Sequence, residues 1–167
     1  VIHHLNRKFE DALECFEKSL DIKLHVYSGG ANNADIAGTL NDLGLFYKAR
    51  GNYEKAEMTL DKALIMTRHI FGKKAPNALI AKILGNLGNL YRTIGKYEKA
   101  HTMQKDALAM KRAIYDVNHD DIAMTLNNLG NLQRELGNHK EALPILKEAL
   151  AMYHHCYGKD FESADIA

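Results

Sequence analysis

Residues Asp121 to Tyr157 read DIAMTLNNLGNLQRELGNHKEALPILKEALAMYHHCY, and the rest of the chain repeats this stretch. A shift of 42 residues lays Leu126, Leu129, Gly130, Gly137, Ala142 and Ala149 on Leu84, Leu87, Gly88, Gly95, Ala100 and Ala107. A further shift of 44 reaches Leu40, Leu43, Gly44, Gly51, Ala56 and Ala63. One more of 44 reaches Ala12, with Phe9 where Tyr53 and Tyr97 stand in the later copies. Self-similarity at a period of this length is the signature of a stacked repeat array, in which each unit buries its apolar face mainly against its neighbours.

Each copy has the pattern of two helices. Ile36, Leu40, Leu43, Gly44 and Tyr47 mark one face of the first, an amphipathic stripe. Gly51 suits a helix stop and Asn52 the cap of the next helix. That second helix is expected to turn Tyr53, Ala56, Leu60, Ala63, Leu64 and Phe71 inward and to end at Gly72. A link this short makes the pair antiparallel.

The second copy opens after Pro76-Asn77, with helices expected over 78–93 and 97–115; the third is expected over 121–136 and 139–157. In the last helix Asn138 and Glu141 have capping-box spacing, and Pro144 predicts a local bend. Residues 1–7 align with 45–51, which predicts the close of a first helix, a break, and a second helix over 9–27. The turn-rich segment SGGANN, residues 28–33, suits a helix stop followed by an asparagine N-cap. Asp165-Ile166-Ala167 repeats Asp35-Ile36-Ala37 and Asp121-Ile122-Ala123, so a further repeat is expected to start there. The organisation predicted is a partial repeat over 1–30, whole repeats over 31–74, 75–118 and 119–161, and the start of another over 162–167. Both ends then lie inside an array and expose apolar surface, which leaves self-association through them open.

A hydrophobic fraction of 46% and a charged fraction of 26% are those of a soluble folded chain. The net charge of +1 supplies no field for nucleic acid or an anionic membrane. Cys15 and Cys156 have no metal or disulfide spacing, which fits reduced thiols in a cytoplasmic protein. No apolar run reaches the roughly 18 residues of a membrane span.

The motif L-x-x-L-G-x-x-Y with spaced alanines in the following helix resembles the tetratricopeptide repeat. Leu40, Leu43, Gly44, Tyr47, Ala56 and Ala63 carry it first; Leu84, Leu87, Gly88, Tyr91, Ala100 and Ala107 carry it again. The third copy has Leu126, Leu129, Gly130, Ala142 and Ala149, with Gln133 in place of the tyrosine. The long period, with DIAMTLNNLG and ALPILKEAL, is similar to the kinesin light chain and nephrocystin-3 type of long repeat. The resemblance implies an all-α fold, a right-handed superhelix (α-solenoid) of antiparallel hairpins whose first helices line a concave groove. Two departures weaken the second copy: Gly85 replaces the asparagine found at Asn41 and Asn127, and Gln104 and Lys111 interrupt the apolar face of its second helix.

Catalytic motifs such as HExxH, GxxxxGK[ST] and GxSxG do not occur, so neither an enzyme nor a cofactor site is expected. Gly85-Asn86-Leu87-Gly88 falls in mid-helix, where no phosphate loop can form. The nine histidines lack ligand spacing; His25 and His69 hold equivalent positions but are only two. Cys15 is expected near the packing surface as an inert small hydrophobe.

Asparagine is the anomaly. Asn41, Asn89, Asn127 and Asn131 fall on one face of the first helices, with Asn86 and Asn128 beside them. Asparagine is a mediocre helix-interior residue, and repeated conflict with local propensity points to function. Lys48, Arg92 and Arg134 align farther along, with Lys82 near the other end. Amides and cations together suit the backbone of a bound peptide bearing acidic side chains or a free C-terminal carboxylate. The other reading makes the asparagines a ladder tying repeat to repeat and the cations a solvated face. At the level of function these give a protein-binding adaptor or scaffold module, or a self-associating or sensing arm of a signalling protein that uses its convex face or ends.

Overall fold

The computed structural model describes residues 2–26, 33–73 and 75–158, with the backbone alone for 2–9 and 24. All regular structure in them is helical: α1 (Ile2–Val26), α2 (Ala34–Ala49), α3 (Tyr53–Phe71), α4 (Ala78–Thr93), α5 (Tyr97–Ile114), α6 (Asp120–Glu135) and α7 (His139–Tyr157). The chain divides into two compact units, Val1–Ala75 and Pro76–Ala167. In the first, α2 and α3 form a hairpin and α1 packs on α2. In the second, α4–α5 and α6–α7 are hairpins, and α6 packs against both α5 and α4.

Start and stop signals work largely as the residues dictate. The side-chain oxygen of Asn33 accepts from the Asp35 N–H at 2.7 Å, that of Asn52 from Lys55 at 3.2 Å, and that of Asn77 from Leu79 at 2.9 Å and Ile80 at 3.2 Å. Each satisfies donors that a helix start leaves open. The hairpin turns need a left-handed residue, and Gly51 and Gly95 supply it, both at φ 73°.

Three local expectations are corrected. The break predicted near residue 8 is absent, and α1 runs unbroken from Ile2 to Val26. Arg7 stands where Gly51 stands in the next copy, so no glycine is present to reverse the chain. The capping box of α7 does not form: Asn138 makes no side-chain cap and donates instead to Gln133 Oε1 at 2.9 Å. Tyr53 and Phe71, predicted inward, are 39% and 38% exposed, because each is the terminal residue of α3, at the edge of the hairpin contact. Helix α7 continues through Pro144. The predicted onset of a further repeat at Asp165 lies outside the described residues.

The core follows the repeated marks. Ile36, Ala37, Leu40, Leu43, Ala56, Leu60, Ala63 and Leu64 are buried in the first unit. Ile83, Leu84, Leu87, Leu90, Ala100 and Ala107 are fully buried in the α4–α5 hairpin. Ile122, Ala123, Leu126, Ala149 and Met152 form a cluster on which Leu108 and Tyr115 from the preceding hairpin also pack. The repeated glycine is a contact point between the two helices of each hairpin. A Cβ on Gly44 would stand 2.6 Å from Leu60 Cγ, one on Gly130 2.6 Å from Leu146 Cγ, and one on Gly88 2.8 Å from Gln104 Cγ.

Gly85 differs, since a Cβ there meets nothing within 4 Å. Two glycines one turn apart should therefore respond oppositely. Gly85→Ala is expected to raise stability by up to about 1 kcal/mol through helix propensity. Gly88→Ala is expected to lower it by about 1–2 kcal/mol, because overpacking displaces the enclosed Gln104. Urea denaturation of the two variants checks the sign of each.

Lys111 corrects the view of it as a flaw in the apolar face. It is 5% exposed, and its ammonium donates to Asp121 Oδ1 at 3.0 Å and to the Asp121 carbonyl at 3.1 Å, joining α5 to α6. At the α1–α2 seam Lys23 donates to Thr39 Oγ1 at 2.6 Å and to the Asp35 carbonyl at 3.4 Å. Thr67, the aligned residue of α3, instead turns its hydroxyl to its own helix, on Ala63 O at 2.9 Å.

Candidate partner-binding face

The predicted site residues of the second unit lie on α4 and α6, which pack side by side. Helical spacing puts Lys82, Asn86 and Asn89 on one face of α4, and Asn127, Asn131 and Arg134 on one face of α6 with Asn128 beside them. Asn86, Asn89 and Arg92 align with Asn128, Asn131 and Arg134, so adjacent helices carry the same residue types. Lys82 and Arg134 are exposed, while Asn86, Asn89, Arg92 and Asn128 are half-buried. Asn127 and Asn131 are each 9% exposed, and the side-chain oxygen of each is buried without a hydrogen-bond partner. The Gln104 Oε1 of α5 is buried in the same way.

Asn89 is held differently. Gln104 reaches from α5 across Gly88 and donates from Nε2 to Asn89 Oδ1 at 2.8 Å and to the Gly85 carbonyl at 3.2 Å. The two departures of this repeat are thus a compensated pair. Where the other hairpins have an asparagine on the first helix and a leucine on the second, here α4 has Gly85 and α5 supplies the amide of Gln104.

The structure removes two residues from an open basic and amide row. Asn41 is 0% exposed and donates to Asp42 Oδ1 at 3.0 Å, so it offers no surface to a partner. Arg92 is paired with Glu135 at 2.8 Å, a link from α4 to α6. The predicted cation row is therefore neutralised at this position, and Arg134 is the exposed guanidinium of the unit's pair. Lys48 is half-buried on α2 in the first unit.

Sequence reading missed a second polar cluster. His119, Asp120 and Asp121 bring ligand-type atoms within 4.8 Å of one another at the start of α6. Each group already has a partner. The Asp121 N–H lies 3.1 Å from His119 Nδ1, Tyr115 stacks on the imidazole at 3.9 Å, and Lys111 holds Asp121. The Tyr157 hydroxyl donates to Asp120 Oδ2 at 2.9 Å and holds that carboxyl below the usual range, while Asp120 in turn raises the Tyr157 phenol. This is a clasp joining the ends of α5, α6 and α7. Cys156, exposed, extends it with a 3.5 Å contact from Sγ to the Asn118 carbonyl. Cys15 is exposed as well, not set in a packing surface as its alignment implies; among the described elements only α2 packs on α1.

A surface depression of about 410 Å³ is lined by Tyr91, Glu98, Lys99, Thr102 and Met103, and Lys99 is drawn over the Tyr91 ring at 5.3 Å. No described helix is long and apolar enough to cross a membrane.

Comparison with known proteins fits this geometry. The profile of the tetratricopeptide repeat matches residues 35–113 and 79–154. The chain belongs to the tetratricopeptide repeat family. This tetratricopeptide chain is similar in fold to BtubC (BKLC) from P. vanneervenii, with 24% identity, a TM-score of 0.79, and coverage of 90% of this chain and 59% of that one. It is also similar to a Podosopora anserina protein of nearly identical TPR-like repeats, of kinesin light chain type. There the identity is 15% and the TM-score 0.69, over 93% of this chain and 72% of that one. A variant form of that protein gives 15% and 0.71, over 90% and 69%. The tetratricopeptide chain thus spans about three fifths of the BtubC structure. No curated protein matches its sequence. The likenesses are to kinesin light chain-like repeats, and the fold class is the all-α solenoid of helical hairpins. Tetratricopeptide repeats are protein-interaction modules.

Proposed function

We propose that this chain holds an extended or helical segment of a partner protein along the faces of α4 and α6, as an adaptor or scaffold module of a larger protein. The observation that carries the reading is the alignment of amides and a cation on adjacent helices: Asn86, Asn89 and Asn128 are half-buried and Arg134 is exposed. Amide side chains at a surface can donate to peptide carbonyls and accept from peptide N–H groups. Arg134, exposed beside them, favours an acidic side chain or a free C-terminal carboxylate on the partner. Two exposed, free cysteines suit a reducing cytoplasm.

The test uses a peptide selected from a random display library on the wild-type protein. Asn131→Ala and Arg134→Ala are each expected to weaken its binding about 5- to 30-fold, the range of one lost hydrogen bond to a neutral or charged group. The Asn131→Ala melting temperature should hold or rise, since an unpaired acceptor is removed and helix propensity improves. A melting temperature that falls while binding is untouched would make the row a structural ladder.

A second reading rests on α7, where Leu143, Leu150 and Tyr157, spaced by seven, are 56%, 38% and 55% exposed. Such a stripe favours self-association through this helix, as in a sensing arm. Light scattering over a concentration series distinguishes the readings: a mass held at 18.8 kDa excludes it.

A further inference from the structure

The polarity of Asn89 is set from the other helix of its hairpin. A main-chain carbonyl can only accept, so the Gln104 atom 3.2 Å from the Gly85 oxygen is its NH₂ group. The same nitrogen stands 2.8 Å from the Asn89 side chain, which therefore turns its oxygen toward Gln104. Both Nε2 hydrogens are then used. Reversing the Gln104 amide would set its oxygen against the Gly85 carbonyl, acceptor to acceptor, and Gln104 is 2% exposed. The outward half of the Asn89 amide is its NH₂, which has no partner among the described residues, and Asn89 is only half-buried.

We propose that Gln104 is a positioning residue that makes Asn89 a donor-only contact, so that a bound segment must present a carbonyl or carboxylate oxygen at this point. The inference rests on the partner-binding reading and adds the chemistry of one contact. The aligned amide of α6 sets the contrast. Asn131 belongs to a hairpin in which Leu146 lies against Gly130, and its buried oxygen has no side-chain donor holding it.

Two substitutions test this with the library-selected peptide as probe. Gln104→Leu installs the residue found at positions 60 and 146, so the fold and melting temperature should hold. Binding should nevertheless weaken about 5- to 10-fold, because the Asn89 amide is released to rotate. Asn89→Asp keeps an oxygen toward Gln104 and turns a second oxygen outward in place of NH₂. It should weaken binding about 10- to 100-fold, since acceptor then faces acceptor. A readout without ligand is the side-chain NH₂ resonance pair of Asn89 in ¹⁵N-edited spectra, which should move in Gln104→Leu toward the values of an unconstrained asparagine. Equal affinity of wild type and Gln104→Leu, or Asn89 resonances that do not move, overturns the inference and leaves the partner-binding reading standing. A library that yields no binder overturns that reading instead, while the resonances still decide whether the lock exists.

Discussion

Leu84→Ala is expected to lower the unfolding free energy by about 2–5 kcal/mol, the range for emptying a sealed leucine site. Leu84 is 0% exposed, with Ile83 and Leu87 equally enclosed, so truncation leaves a sealed gap. Part of the cost is lost transfer energy and part is the cavity, which a repeat array cannot close without moving a whole helix. A domain of this kind is stable by only about 5–15 kcal/mol, so one such change removes a large share. Urea denaturation followed by circular dichroism measures it. A loss below about 1 kcal/mol would mean that α4 and α5 collapse onto the vacated volume.

Asp121→Ala is expected to cost about 2 kcal/mol, below the roughly 3–5 typical of a fully buried pair because the carboxylate is partly solvated. The Asp121 side chain is 38% exposed and that of Lys111 only 6%, so the penalty falls on the lysine. An ammonium left without its counter-charge keeps only the Asp121 carbonyl at 3.1 Å. The partner substitution decides whether this account is right. Lys111→Met removes the stranded charge, and the double variant should return to within about 1 kcal/mol of wild type. Additive losses from the two changes would show that packing, and not the charge pair, was at stake.

The fold was legible because its determinants are local and repeated. Leucine, glycine and alanine recur at fixed offsets, and Asn33, Asn52, Asn77, Gly51 and Gly95 cap or stop helices wherever they occur. What was misread depends on partners distant in the chain. Gln104 and Lys111 look like defects until Gly85, Asn89 and Asp121 are seen opposite them. Arg92 looks like an open cation until Glu135 arrives from the next hairpin. Periodicity also says nothing about where a helix stops being covered, which is why Tyr53 and Phe71 were placed inside. Of the candidate face, the residue types and their alignment were readable; which amide is satisfied, and by what, was not.

The seams between hairpins bear on how such a chain can change over generations. Equivalent places hold Lys23, Thr67, Lys111 and Tyr153; Lys23 meets Thr39 on α2 and Lys111 meets Asp121 on α6, whereas Thr67 bonds its own helix. If all hairpins were alike, any one could be duplicated, deleted or exchanged with little penalty. Here a transplanted α5 would bring an ammonium to a neighbour without Asp121, and α7 would bring a phenol where a lysine is required. The order of the hairpins is therefore written into their joints. Growth of such an array by copying one unit must be followed by repair of the two new joints before the copy is neutral.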